Sequence, residues 1–498
     1  MKMLLKLTLL LAMMVFLLFG FVWYRQSGIF RECEAALLSL QWMLLACLAV
    51  WCGSFLLLTF NLKDLPLVGL LLIAIIAYFI GYVAASPATD AIILLACVTL
   101  GKGARFFLKS GKRKAESGNI SNVECGTRIA ECVSEFRTPN SELRIFLVGL
   151  VLLLTFSSWW HLDMAHNFYP GTRWTGLWDN PNDYGMLMGA GLVLTIGLLS
   201  QNLKSEKLKA EIKRGAETGN LKPEANQNLE PAFTLFRRGK SGKQKLLLVF
   251  LLVAAAIMGV GLVMSYSRGA WVGTAIGLLY LAKAYGKLKW RFVLPGVFVV
   301  ATVVFVFWRS TADTGPWYLK RMDLSRASAQ HRVSAWRGAL QMMRDHPFGV
   351  GWNKAVGTYE KNYSPPEGSA AAITTNDYLM LGTQLGFPGL LCFIGYIWLC
   401  FRRNRPHLTL PHPQPLSNPI REGSVSPPAG NGEGIKIACR AGALAMLVAF
   451  WFDGGLFKLA TASVFWILLE LGTERQTLKT EMLKAETNLS LVTSAATK

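Results

Sequence analysis

Charge is scarce in this 498-residue chain: Asp, Glu, Lys and Arg make up 16% of it, against 52% hydrophobic residues. With a mean hydropathy of +0.36, that balance excludes an ordinary soluble domain. Histidine is also sparse, at six residues, and neither an HExxH nor a DxD pattern occurs, so no metal site is expected. The nine cysteines are an odd number and contain no CxxC pair. Most fall inside apolar runs or in basic loops, with only Cys33 expected outside, so they read as small packing residues and not as a disulfide framework. An internal repeat with matched broken helices, frequent in transporters, is missing too.

What the chain has in quantity is apolar runs near the ~20 residues that cross a bilayer. They fall at roughly 4–24, 36–60, 65–85, 88–108, 144–160, 184–200, 245–265, 269–284, 291–308, 377–401, 438–452 and 455–472. The expected fold is all-α, a polytopic membrane protein of about twelve transmembrane helices with one long periplasmic loop. The first run, with Lys2 and Lys6 before it and no small-x-small site after Trp23, reads as a retained signal anchor.

A net charge of +21 would suggest nucleic acid in a soluble protein, but here its location speaks against that partner. Lys and Arg crowd 101–144 (including Lys102, Arg105 and Lys109), 201–245, 283–291 and 402–440, which alternate onto one face. By the positive-inside rule that face, and both termini, are expected in the cytoplasm. Three inserts near 110–140, 201–243 and 404–434 are too polar or too rich in Pro and Gly to bury a core, and are expected to be unstructured. The expected division is 1–143, N-terminal helices and a cytoplasmic insert; 144–402, a core with the outer loop 309–376; 403–437, a Pro/Gly-rich loop; 438–472, a C-terminal helix pair; and 473–498, a tail.

Candidate chemistry lies on the opposite face. Between two runs, His161, Asp163, His166, Arg173, Trp174, Asp179, Asn180, Asn182 and Asp183 crowd one short loop; helix capping by the Asn and Asp residues is an alternative use. Ser267-Arg268-Gly269 opens a run with almost no loop before it, where an arginine either anchors at the interface or lines a cavity. In the long loop, Val333, Trp336, Leu340 and Met343 share one helical stripe with Arg332 on one edge and Arg337 and Arg344 on the other. Asp345-His346-Pro347 ends that helix. Two readings stand for it: an interfacial helix with snorkelling arginines, or a binder of an anionic substrate. The planar fork of arginine suits diphosphate oxygens, and Arg173, Arg268 and Arg332 fall on the same face.

Three stretches together resemble the O-antigen ligase and polymerase superfamily, bacterial membrane glycosyltransferases acting on undecaprenyl-diphosphate-linked glycans. Arg173 to Gly185 (RWTGLWDNPNDYG) resembles its arginine loop and Asn-Pro-Asn, Ser267-Arg268-Gly269 its Ser-Arg-Gly, and His331 to Asn353 its Arg-x-x-x-Trp helix followed by Pro-x-Gly-x-Gly. The resemblance covers about 140–400 and implies glycan transfer or polymerisation from that donor on the periplasmic face, to a glycan or lipid acceptor, without a cofactor. It implies Arg173, Arg268 and Arg332 as diphosphate ligands, with Asn182, Arg337 and Asn376 as secondary contacts. Where the family carries the histidine held to be the catalytic base, this chain has Thr375, followed by Asn376, Asp377 and Tyr378. A threonine hydroxyl does not act as a base near neutral pH, so Asp377 and His331 are the expected substitutes, with helix capping as the other use of Asp377.

Overall fold

The computed structural model describes residues 49–54, 56–58, 62–81, 89–109, 141–163, 173–176, 178, 180–218, 242–285, 327–352, 354–364, 376–402 and 431–473. The expected runs at 4–24 and 291–308, together with Cys33, His166, Asp179, Asn353, Thr375 and residues 474–498, lie outside them. Among the described residues there is helix and no strand. The helices are α1 (Leu65–Gly81), α2 (Thr89–Lys109), α3 (Ser141–Asp163), α4 (Pro181–Thr218), α5 (Gly242–Ser265) and α6 (Arg268–Ala284). Then come α7 (Ala327–Asp345), α8 (Ala355–Asn362), α9 (Asp377–Phe401), α10 (Asn431–Ala449) and α11 (Leu459–Gly472).

Among the described residues, three segments are long and apolar enough to cross a membrane: Pro181–Asn202, Lys245–Ser265 and Asp377–Phe401. The 22 residues of the first give about 33 Å of helix, which covers a hydrocarbon core of ~30 Å. Aliphatic side chains stand exposed along α5 (Leu246, Val249, Leu252, Val253, Val260, Val263) and α3 (Ile145, Leu152, Phe156). Rows of this kind are the lipid-facing surface of a membrane bundle, since water would not tolerate so continuous an apolar face. Beyond Asn202, α4 runs on to Thr218 inside the insert expected to be unstructured. Its Lys, Glu and Ala content has high helix propensity, with opposite charges at helical spacing, and that extends the helix without a core.

At the centre stands α10, packed on α4, α6 and α11. Small residues make this possible. Gly269, Gly273 and Gly277 repeat every four residues along α6 and so form one stripe. A side-chain carbon at Gly273 would run into the Ala445 carbonyl, and one at Gly277 would lie 2.8 Å from the Ala441 carbonyl. The backbones of α6 and α10 therefore lie in direct contact, the geometry that small-xxx-small stripes give membrane helices.

The second architectural device is a break in α9. Gly386 takes φ +72°, a left-handed conformation that interrupts the helical ladder two residues before Pro388. The segment after α7 repairs the break: Val350 N–H donates to Thr383 O (3.0 Å), Gly351 N–H to Gln384 O (3.1 Å), and Phe387 N–H to Pro347 O (2.9 Å). Gly349, itself at φ +83°, lies so close to Gln384 O and the Gly386 amide that a side chain there would collide with both. Trp352 then drives fully into the bundle, its Nε1–H bonded to Ala74 O of α1 at 2.7 Å. Pro347-x-Gly349-x-Gly351 is thus a strap that fastens α7 to α9.

The helix expected around 332–345 exists and ends where Pro347 was expected to end it, and the apolar stripe is only partly its buried face. Ala335, Ala339, Met342 and Met343 are buried, whereas Val333 and Leu340 stand exposed. The small residues win because α7 packs closely: a side-chain carbon at Gly338 would lie 2.7 Å from the Tyr359 ring of α8. Replacing Gly273 by valine should push α6 off α10 at an overpacking cost of about 1–3 kcal/mol. The expected result is a lower melting temperature in detergent; an unchanged melt would mean that the stripe is not the contact.

Candidate functional site around Asp453

Between α10 and α11 the chain turns through Phe452, Asp453, Gly454 and Gly455, and this turn receives contacts from three other regions. Asp453 is 5% exposed and accepts at both oxygens. Ser267 Oγ donates to Oδ2 at 3.0 Å, Asn182 Nδ2 donates to Oδ1 at 2.9 Å, and Arg332 Nη2 lies 3.5 Å from Oδ1. A buried carboxylate needs several donors, and here each comes from a different helix.

Each donor is placed by its own local structure. Ser267 is the N-cap of α6, extended at φ −87° and ψ 108°, and accepts from Ala270 N–H at 3.3 Å while its hydroxyl proton goes to Asp453. Tyr266, at φ +49°, makes the sharp connection from α5. Gly269 completes the motif, because a side-chain carbon there would lie 2.8 Å from Asp453 Oδ2. Ser-Arg-Gly is therefore a cap, an arginine and a clearance, and it sets exposed Arg268 beside the carboxylate-bearing turn.

Asn182 sits in the first turn of α4, its N–H held by Asn180 Oδ1 at 2.9 Å. It relays Asp453 to Arg173, whose Nη2 donates to Asn182 Oδ1 at 2.5 Å and whose Nε donates to Ser265 O at 2.8 Å. Trp174 N–H bonds Met264 O at 3.0 Å, so the arginine loop is pinned to the end of α5. Arg332 reaches across from α7, donating from Nη1 to Phe452 O at 2.7 Å while its side chain keeps 30% of its surface exposed. Trp336, one turn on, meets Trp451 edge to face at 6.0 Å. Alongside, Lys458 Nζ pairs with Asp183 Oδ1 at 2.9 Å.

Of the residues expected from sequence, the structure gathers Arg173, Asn182 and Arg332 around Asp453 and places Arg268 next to Ser267. Arg337 is exposed on α7. Asn376 is fully buried as the N-cap of α9, its Oδ1 accepting from Tyr378 and Leu379 N–H at 3.1 Å each, with its Nδ2 left without a hydrogen-bond partner among the described residues. Asp377 is 3% exposed, and its Oδ2 accepts from Gly455 N–H (2.7 Å) and Leu456 N–H (2.8 Å). That carboxylate holds the turn that precedes α11, while the cap expected of it on the helix that follows is supplied by Asn376. His331 lies in α7, directly before Arg332.

Asp453 is the residue that sequence reasoning missed. Its signal was present: a carboxylate between two apolar runs, 438–452 and 455–472, is costly unless it has a task.

If Asp453 orients Arg332 and Asn182, the effects of Asp453→Asn and Arg332→Leu on thermal stability should not add. A double-mutant cycle should give a coupling of roughly 1–3 kcal/mol. Additive effects would mean that the two residues do not act together.

No curated protein matches the chain. Residues 253–394 do match a protein-family model described as O-antigen ligase, a stretch that includes Arg268, His331, Arg332, Asn376 and Asp377 and excludes Arg173, Asn182 and Asp453. This match supports placing the chain in the O-antigen ligase and polymerase superfamily.

Proposed function

We propose that the chain transfers or polymerises glycan from a polyprenyl-diphosphate-linked donor on the periplasmic face of a bacterial inner membrane, in O-antigen or exopolysaccharide assembly. The observation that carries this reading is the convergence on Asp453, whose Oδ1 meets Arg332 directly and Arg173 through Asn182, while its Oδ2 accepts from Ser267, the residue before Arg268. Asp453 acts as the fixed counter-charge that orients guanidinium groups toward a ligand. The remainder of the proposed architecture is about twelve spans, both termini in the cytoplasm and the segment 309–376 outside, as the distribution of Lys and Arg supports.

In the reaction, an acceptor hydroxyl attacks the anomeric carbon of the donor, the bond from that carbon to the diphosphate oxygen breaks, and polyprenyl diphosphate leaves. Negative charge grows on the leaving oxygen. Arg268, Arg332 and Arg173 stabilise it by preorganised, charge-assisted hydrogen bonds, with Asn182 steering Arg173. The hydroxyl proton goes to a base. Because Asp377 already accepts two backbone bonds, we assign the base to His331 and leave Asp377 to hold the α11 turn. Thr375 in the place of the family histidine favours a second reading, in which the chain binds the lipid-linked glycan in an assembly role without transferring it.

Transfer measured in membranes from a lipid-linked donor distinguishes these readings. Arg268→Lys keeps the charge and loses the fork, so a tenfold to hundredfold loss is expected at about 1.5–3 kcal/mol for such a bond. His331→Ala should abolish transfer with membrane levels unchanged, and Asp377→Asn should lower thermal stability first. Full activity in Arg268→Lys would reduce that arginine to an anchor, and loss of transfer in Asp377→Asn at normal stability would return the base to Asp377. Donor binding by the wild-type protein without any transfer would favour the assembly role.

A further inference from the structure

At the end of the bundle away from Asp453 lies a second set of buried charges, which the proposed chemistry does not use. Lys102 and Arg105, on α2, were read from sequence as loop cations; both are buried within the bundle. Lys102 Nζ lies 2.6 Å from Asp64 Oδ1 and 3.0 Å from Glu470 Oε1. Arg105 Nη1 lies 2.9 Å from Glu470 Oε2 and 4.0 Å from Asp64 Oδ1. The Tyr396 hydroxyl donates to Glu470 Oε1 as well. Lys102 and Arg105 thus each face both carboxylates, and both oxygens of Glu470 are occupied.

Another buried cation has no salt bridge among the described residues. Arg440 of α10 is 5% exposed and crosses α11 at Gly472, two residues beyond Glu470. The approach is close, since a side-chain carbon at Gly472 would lie 2.8 Å from Arg440 Cγ. Its Nε and Nη2 are buried without a hydrogen-bond partner among the described residues. A guanidinium does not shed its proton to relieve burial, as a lysine can, so an unpaired one costs several kcal/mol. The two unpartnered nitrogens are also informative as a pair. Nε and Nη2 form the side-on edge of the guanidinium, the edge that presents two parallel N–H groups to two oxygens of one phosphate or carboxylate. Half-buried Lys436 lies one turn earlier on the same face of α10.

We propose that Arg440 is the centre of an anion site at this end of the bundle, taking a phosphate group through its Nε–Nη2 edge. The phosphate is supplied either by the headgroup of an anionic membrane lipid or by free phosphate. This inference is independent of the glycan-transfer reading, because none of its residues belongs to the Asp453 site.

The test uses the full-length protein purified in maltoside micelles, melted alone, with phosphatidylglycerol, and with millimolar inorganic phosphate. A ligand that binds only the folded state should raise the melting temperature. A rise with phosphatidylglycerol alone assigns the site to a lipid headgroup, and a rise with both assigns it to phosphate from either source. Arg440→Met should remove the rise and, without added anion, melt no lower than the wild type because an unpaired buried charge has gone. Arg440→Lys, which keeps the charge but not the fork, should show less than half the rise and carries the comparison if the Met variant does not accumulate. No rise with either ligand, or an undiminished rise in the variants, would overturn the proposal.

Discussion

A carboxylate with almost no access to water has to be surrounded by donors, and the way Asp453 meets that demand ties one end of the bundle together. Its oxygens collect a hydroxyl from the head of α6, an amide from the start of α4 and a guanidinium from α7. None of these segments is adjacent in sequence to the α10–α11 turn, so the carboxylate converts four distant pieces of chain into one site. Removing any one donor leaves the others paired with a less well solvated charge, and for that reason such a site works as a unit.

Two packing devices bring the donors within reach. The glycine stripe on α6 lets that helix lie against α10, which delivers Ser267 and Arg268 to the turn that follows α10. The break at Gly386 opens backbone groups in α9 that the Pro347–Gly351 strap fills, and the strap fixes the C-terminal end of the helix carrying Arg332. Irregular backbone at membrane depth persists only where other protein satisfies it, and here the strap supplies those partners. Trp352, bonded to Ala74 O, adds α1 to the same assembly.

Much of this was legible in the sequence, because each motif has a local physical reason. Ser267-Arg268-Gly269 is a cap followed by a clearance, Pro347-x-Gly349-x-Gly351 is a sequence of backbone requirements, and Arg332 lies on a helix whose end a proline marks. What was not legible depends on three-dimensional partners. Asp453 has no motif, and its partners lie 121 to 271 residues away in the chain. The apolar stripe of α7 did not reveal its buried face, because the closeness of α8 and α9 selects Ala335, Gly338 and Ala339. Lys102 and Arg105 looked like loop cations because a charge pattern alone does not reveal Asp64 and Glu470 waiting on other helices. The role of Asp377 is legible only once the α11 turn lies against it.

The central claim is that Asp453 arranges arginines around a diphosphate, and a structure of the protein in lipid nanodiscs with undecaprenyl diphosphate tests it most directly. The account predicts the diphosphate within hydrogen-bond distance of Arg268 and Arg332, with Asp453 still bonded to Ser267 and Asn182. A diphosphate bound elsewhere in the protein, with Arg268 and Arg332 both out of reach of it, would contradict the account.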